Sequence, residues 1–316
     1  MKLFDRDGRG AEELAAAIGF MRDVDYELWK GVLPLGIRDV AAIVGNDVTT
    51  ALATFYESGC EPSSFFPASC TIPLQYLQRA VACFTWLKII PTLDAQHDTN
   101  GRARRLGENE KGMTALEQYK DEANVQRLAY EFTDALIEAL DTGQYKFWIE
   151  GSKYRMRSGL LLRSKEEFDE YYVIGSHRLF ITLLPLIREA QETSIVTTVG
   201  RDMLKEMLAS NEPYASELND CARRAVALLA IKKAVERLPI EVLPEGIVQV
   251  NQQVPVQQRL RAEKSARDSV AASLGADADR YLRQLEDAVS ALRSSEEKPV
   301  EHYTPGPILH TKGMTF

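Results

Sequence analysis

The sequence predicts a mainly α-helical protein made of two tandem, diverged helical-bundle units, each with a β-hairpin or loop inserted between helices, plus an extended C-terminal tail. Three observations carry this expectation. Apolar residues recur at steps of three and four, the period of a helix with one buried face. A fifteen-residue stretch returns 145 residues later without a gap, and proline and glycine punctuate both copies at corresponding places.

The repeat is clearest where Arg79-Ala80-Val81-Ala82-Cys83-Phe84-Thr85-Trp86-Leu87-Lys88-Ile89-Ile90-Pro91-Thr92-Leu93 aligns on the run from Arg224 to Leu238, with six of fifteen positions identical. Upstream, Leu33-Pro34-Leu35 with Ile37-Arg38-Asp39 matches Leu184-Pro185-Leu186 with Ile187-Arg188-Glu189. Val44-Gly45-Asn46-Asp47 then matches Val199-Gly200-Arg201-Asp202 once the second copy is allowed four extra residues. Downstream, Asp134-Ala135-Leu136 corresponds to Asp287-Ala288-Val289. Alanine- and leucine-rich helices resemble one another by composition, but three ordered matches favour duplication.

Taken in order, residues 1–21 are an N-terminal arm whose first ten residues alternate charge with glycine and lack the apolar core of a secretory signal. Unit 1 covers residues 22–145. A helix from Leu33 carries Pro34, which should start or kink it. Leu74, Leu77, Val81, Phe84 and Leu87 mark a buried helix face ending at Pro91 and Gly101, Gly101 to Met113 reads as a polar hairpin or loop, and Leu128, Phe132, Leu136 and Leu140 mark the closing helix. Residues 146–170 form an aromatic and basic linker.

Unit 2 covers residues 171–294. A helix from Phe180 contains Pro185, Ala222, Val226 and Leu229 repeat the buried face, and Pro239 and Pro244 end it. Gly246 to Val256 alternates β-branched and amide residues about Asn251-Gln252 and reads as two short strands. Such a hairpin does not stand alone in water, so it lies on its own bundle or pairs with another chain. Leu282, Leu285, Val289 and Leu292 form the closing stripe. Residues 295–316 are the tail, whose apolar end, Ile308 to Phe316, either docks on a neighbouring subunit or is terminal disorder.

With 45% hydrophobic and 27% charged residues, the composition is that of an ordinary globular protein. No apolar run approaches the roughly 20 residues needed to span a bilayer, which argues against a membrane partner. Cys60, Cys70, Cys83 and Cys221 form no CxxC pair, so reduced thiols and folding in the cytosol are expected. A net charge of −8 argues against a free nucleic-acid binder. Arg102, Arg104 and Arg105 form one local basic patch, or simply a solvated loop.

The search for chemistry returns no catalytic, cofactor-binding or metal residues. His97, His177, His302 and His310 are far apart in sequence and none sits at metal-ligand spacing. There is no GxSxG elbow, P-loop or GxGxxG, and Gly8-Arg9-Gly10 follows no strand. Glu166-Glu167 with Asp169-Glu170, and Asp121-Glu122, read as solvated helix faces rather than an acid–base pair. Tyr145-Lys146-Phe147-Trp148-Ile149 with Tyr154-Arg155-Met156-Arg157 either stacks on nucleotide bases or anchors the junction between two bundles.

The helix Leu184-Pro185-Leu186-Ile187 leading to Val199-Gly200, the segment Val242-Leu243-Pro244-Glu245-Gly246, and the terminal His310-Thr311-Lys312-Gly313-Met314-Thr315-Phe316 resemble an uncharacterised family of phage and prophage structural proteins. In outline the chain is also similar to head-to-tail connector proteins, although its duplication departs from the usual single-copy connector. The resemblance implies a non-enzymatic virion subunit, assembled in the host cytoplasm. It would form a homo-oligomeric ring that meets portal and tail or neck proteins and lets DNA pass through an acidic lumen. A cytosolic helical adaptor or regulatory module that clamps a peptide is the alternative, and an enzyme with a site between the units is a third reading.

Overall fold

The computed structural model describes residues 1–21, 24–93, 95–98, 101–104, 113–209, 213–238 and 264–296. The first half contains α1 (Gly10–Ile18), α2 (Tyr26–Lys30), α3 (Leu33–Val44), α4 (Asn46–Glu57), α5 (Thr71–Leu93), strands β1 (Ala95–Asp98) and β2 (Gly101–Arg104), and α6 (Ala115–Gly143). Three short helices follow: α7 (Lys146–Ile149), α8 (Ser152–Arg155) and α9 (Lys165–Asp169). The second half contains α10 (His177–Ala190), a π-helical turn (Gln191–Ile195), α11 (Val196–Val199), α12 (Arg201–Ala209), α13 (Pro213–Arg237) and α14 (Lys264–Glu296).

Each half is organised around a long antiparallel helix pair, and the residue contacts give the direction. On α5 and α6, Arg79 lies over the Phe132 ring, Phe84 meets Tyr130, and Cys83 packs with Val125 and Ala129. On α13 and α14, Arg224 lies over Tyr281, while Arg267 donates to the Val235 carbonyl. The apolar stripes are the reason these helices pair: Leu74, Leu77, Val81, Leu136 and Leu140 are buried in one, and Val226, Leu285 and Val289 in the other. α6 starts from a reciprocal cap, in which Glu117 N–H donates to Thr114 Oγ1 and Thr114 N–H donates to Glu117 Oε2. It stops where Gln144 turns left-handed.

The duplication extends to backbone angles and polar pairs. Gly45 joins α3 to α4 at φ 98, ψ 150, and Gly200 joins α11 to α12 at φ 88, ψ 160, a region open to glycine alone among ordinary residues. Asp39 on α3 pairs with Lys88 on α5 at 2.6 Å, and the aligned Glu189 on α10 pairs with the aligned Lys233 on α13 at 2.8 Å. The extra residues of the second copy fall where the π-helical turn widens the helix.

Some expectations need correction. α5 runs through Pro91 to Leu93, so the proline stands in its last turn, where it supplies no N–H to the Leu87 carbonyl one turn back. Pro34 sits in the first turn of α3, whereas Pro185 lies inside an unbroken α10. Of the segment from Gly101 to Met113, read as a polar hairpin or loop, residues 105–112 lie outside the described residues; its start, β2, pairs backward with β1, Gly101 opposite Asp98 and Arg104 opposite Ala95. Residues 246–256, expected to form two short strands, lie outside the described residues, as do 297–316, and among those described β1 and β2 form the one ladder. No described helix is long and apolar enough to cross a membrane.

The arm at the N-terminus is tied down rather than loose. Leu3 and Phe4 are buried, Gln78 donates to the Leu3 carbonyl at 2.6 Å, and the Tyr56 hydroxyl donates to Glu13 at 2.5 Å. One apolar core runs from Leu3 through both units to Val289, so the units share a single packed interior.

Candidate functional site

The best-built polar constellation lies where unit 1 meets unit 2. Arg157, held by the linker, is buried and sends two nitrogens to the Asp141 carboxylate near the end of α6, at 2.9 and 3.1 Å. Trp148 Nε1 donates to the same carboxylate at 2.7 Å. The guanidinium also sits 5.4 Å from the Trp148 ring, 5.1 Å from Tyr154 and 5.5 Å from Phe180 of α10. A planar, delocalised cation suits such an aromatic box better than an ammonium would.

Two further fastenings flank it. Asp134 on α6 accepts from the Ser176 hydroxyl at 3.0 Å and from Arg178 N–H at 2.6 Å, capping the start of α10 from the other unit, and Arg178 lies 4.0 Å over Tyr130. Gln191, buried in the π-helical turn, accepts from Leu161 N–H and donates to the Gly159 carbonyl, both at 2.8 Å. The turn thus aims one amide at linker backbone that would otherwise be unpaired.

The aromatic segment singled out in the sequence is therefore interior: Tyr145, Phe147 and Trp148 are buried, with Tyr145 stacked on Phe147 at 5.4 Å. It anchors the junction, and its buried rings are closed to bases. Asp141 and Gln191 were missed by the sequence reading. Gln191 stands among Arg188, Glu189, Glu192 and Thr193, so neither it nor Asp141 offered a local signal.

The other candidates stay dispersed. His177 lies 3.8 Å from Glu166, His97 and Arg102 pair across the β1–β2 ladder, and Arg104 lies in β2, while Arg105, His302 and His310 lie outside the described residues. Among the described residues no group of three His, Cys, Asp or Glu could hold a metal. The acidic run on α9 works locally, with Glu167 accepting from Arg163 N–H at 2.6 Å and Asp169 from Ile174 N–H at 2.8 Å. Asp121 and Glu122 are exposed on α6. All four cysteines are free, and burial pushes the Cys70 and Cys83 thiols up to about 11. A shallow cleft of about 380 Å³ between the arm and α5 is lined by Arg6, Glu13, Tyr56, Cys60 and Gln78, with Arg6 already bonded to the Tyr56 carbonyl and Cys60.

The other functional candidate is a surface. At the far end of the α5–α6 pair, Leu93, Met113, Leu116 and Tyr119 are exposed beside the two-stranded ladder, and the first turns of α6 are open to solvent on nearly all sides. An apolar cluster around a ladder of only two strands is a feature of contact surfaces.

A sequence-family model described as a family of unknown function, DUF6712, matches residues 47–158 and again residues 185–298. Both matches contain a long helix pair. No curated protein and no solved structure matches the chain.

Proposed function

The chain belongs to the DUF6712 family twice over, and on that architecture we propose that it is a non-enzymatic structural subunit of a bacteriophage-like particle, a neck component between portal and tail. The observation that carries this reading is the pairing of a rigid interior with open ends. Buried bonds from Arg157 and Gln191 hold the units as one body, while the Leu93, Met113, Leu116 and Tyr119 cluster stands clear at one tip. A subunit that transmits position through protein contacts needs both. Heterologous contacts through such a tip close into a homo-oligomeric ring when the rotation permits, and a net charge of −8 facing a lumen would repel DNA and let it slide.

The experiment is mass spectrometry of particles purified by density gradient from the source, with imaging of those that contain the chain. A fixed ratio to portal protein and density between head and tail are expected. Absence from intact particles, with abundant chain in the host cytoplasm, would contradict the proposal and favour the adaptor.

A further inference from the structure

The duplication allows one surface to be compared with itself. The offset of 151 that pairs Leu33-Pro34-Leu35 with Leu184-Pro185-Leu186 carries back to Asp25 and Ser176. Both are helix N-caps: Asp25 accepts from Glu27 N–H and Ser176 from Leu179 N–H, each at 3.1 Å. The counterpart of α10 is therefore α2 and α3 together, interrupted at Gly31 and Val32. Core-facing positions agree, since Trp29 and Phe180, Leu33 and Leu184 and, at an offset of 150 once Gly36 is passed over, Ile37 and Ile187 are all buried. Outer positions do not. Leu179 and Leu186 are 3% and 9% exposed, whereas Leu28 and Leu35 are 39% and 42% exposed. Leu183 is buried and Val32 only half-buried.

The difference comes from what covers each helix. α10 lies between α13 of its own unit and α6 and α9 from the preceding part of the chain, and Arg188 donates to the carbonyls of Met156 and Ser158 at 2.8 and 3.2 Å. In unit 1, α3 packs on α4, α5 and α10, which leaves the Leu28 and Leu35 side open, and the counterpart Arg38 is exposed, its guanidinium 3.3 Å from the adjoining Asp39.

We infer that the Leu28, Val32 and Leu35 face of unit 1 is a docking surface for an amphipathic helix of another polypeptide, one that lays an apolar stripe on these side chains and offers backbone carbonyls to Arg38. The established contact between the units supplies the shape of the occupant: a helix followed by a turn, as α6 and the linker present to α10. It also argues against a second copy. At the offset of 153 that links α6 to α14, Tyr130 becomes Arg283 and Asp134 becomes Asp287. Asp287 would then face Asp25, where Asp134 meets the Ser176 hydroxyl, and like charges repel. The outer face of α14 is that of a terminal repeat, polar and closed to extension. This inference rests on the duplication and not on the virion reading, so either can fail alone.

The probe is a fluorescent peptide of residues 126–161 carrying Asp134→Asn, so that no carboxylate faces Asp25, and Arg127→Lys, with that lysine side chain lactam-bridged to Glu131. Both bridged positions are exposed one turn apart on α6, so the bridge enforces the helix without touching its docking face. Its anisotropy is followed against the full-length chain once circular dichroism shows it helical. Saturable binding is expected, weakened at least tenfold by Leu28→Glu with Leu35→Glu and unchanged by Leu93→Glu at the distant tip. All three leucines are exposed, so thermal midpoints should match the wild type and exclude misfolding. Failure of the helical peptide to bind, or equal affinity for the double variant, would overturn the inference. So would a concentration-dependent dimer in sedimentation that the double variant abolishes, since the face would then belong to a second copy.

Discussion

In unit 1 the opening helix crosses the long helix through a glycine, and in unit 2 the same crossing is made without one. A methyl group on Gly36 would overlap the Thr85 hydroxyl and come within 2.8 Å of the Val81 carbonyl oxygen. The aligned run in unit 2 passes from Leu186 to Ile187 with no glycine, the residue aligned with Thr85 is Ala230, and a π-helical turn follows. The ion pairs and the left-handed glycine turn were kept in both copies, while the helix crossing and its outward face diverged. Duplication thus preserves the frame, and the differences show where each copy meets its surroundings.

The largest expected effect lies where the two units join. Arg157→Met removes the cation and leaves the Asp141 carboxylate partly buried without its partner, a change that typically costs about 3–5 kcal/mol. Chemical denaturation of the variant measures it, and a loss under about 1 kcal/mol would mean that the pair does not fasten the linker to unit 1. Next, Gly36→Ala should cost about 1–3 kcal/mol through overpacking. Adding Thr85→Ala, which copies the situation at Ala230, should recover part of that loss. Additive costs in this double-mutant cycle would break the claimed contact.

Gln191→Leu removes two hydrogen bonds and leaves Leu161 N–H and the Gly159 carbonyl unpaired, at about 1 kcal/mol for each group. Hydrogen exchange should speed up at Leu161, and an unchanged rate would remove the special role of the π-helical turn. The smallest effects concern the duplicated ion pairs: Lys88→Met and Lys233→Met should each cost about 0.2–1 kcal/mol, reduced by salt.

The pair in unit 2 also has a pH signature. Hydrogen bonds from Arg237 and Lys233 hold the Glu189 carboxyl down at about 2, from an ordinary 4.5. A group depressed on folding contributes stability above its unfolded value and loses it as pH falls toward its folded value. The difference between wild type and Glu189→Gln should therefore be present at pH 6 and fade between about 4.5 and 2. A difference that grows on acidification would contradict this pairing.

The long helices and the duplication were legible because burial writes a period into the sequence: Leu74, Leu77 and Val81 face inward for the reason that places Val226 there. The ends of elements were less legible. Pro91 marked a stop two residues early, since α5 carries on to Leu93 before it ends. The junction was legible only as a choice between base stacking and internal packing. Its deciding bonds join Asp141 to Arg157 and Gln191 to Leu161, pairs set by tertiary structure with no local pattern to announce them.

The claim that two diverged units share one interior is tested most directly by differential scanning calorimetry of the full chain, alone and with Arg157→Met. The account predicts one cooperative transition in the wild type, with calorimetric and van't Hoff enthalpies in agreement, and a lower, broadened or divided transition in the variant. Two resolved transitions in the wild type, left in place by Arg157→Met, would show that the units unfold independently and that the junction does not join them.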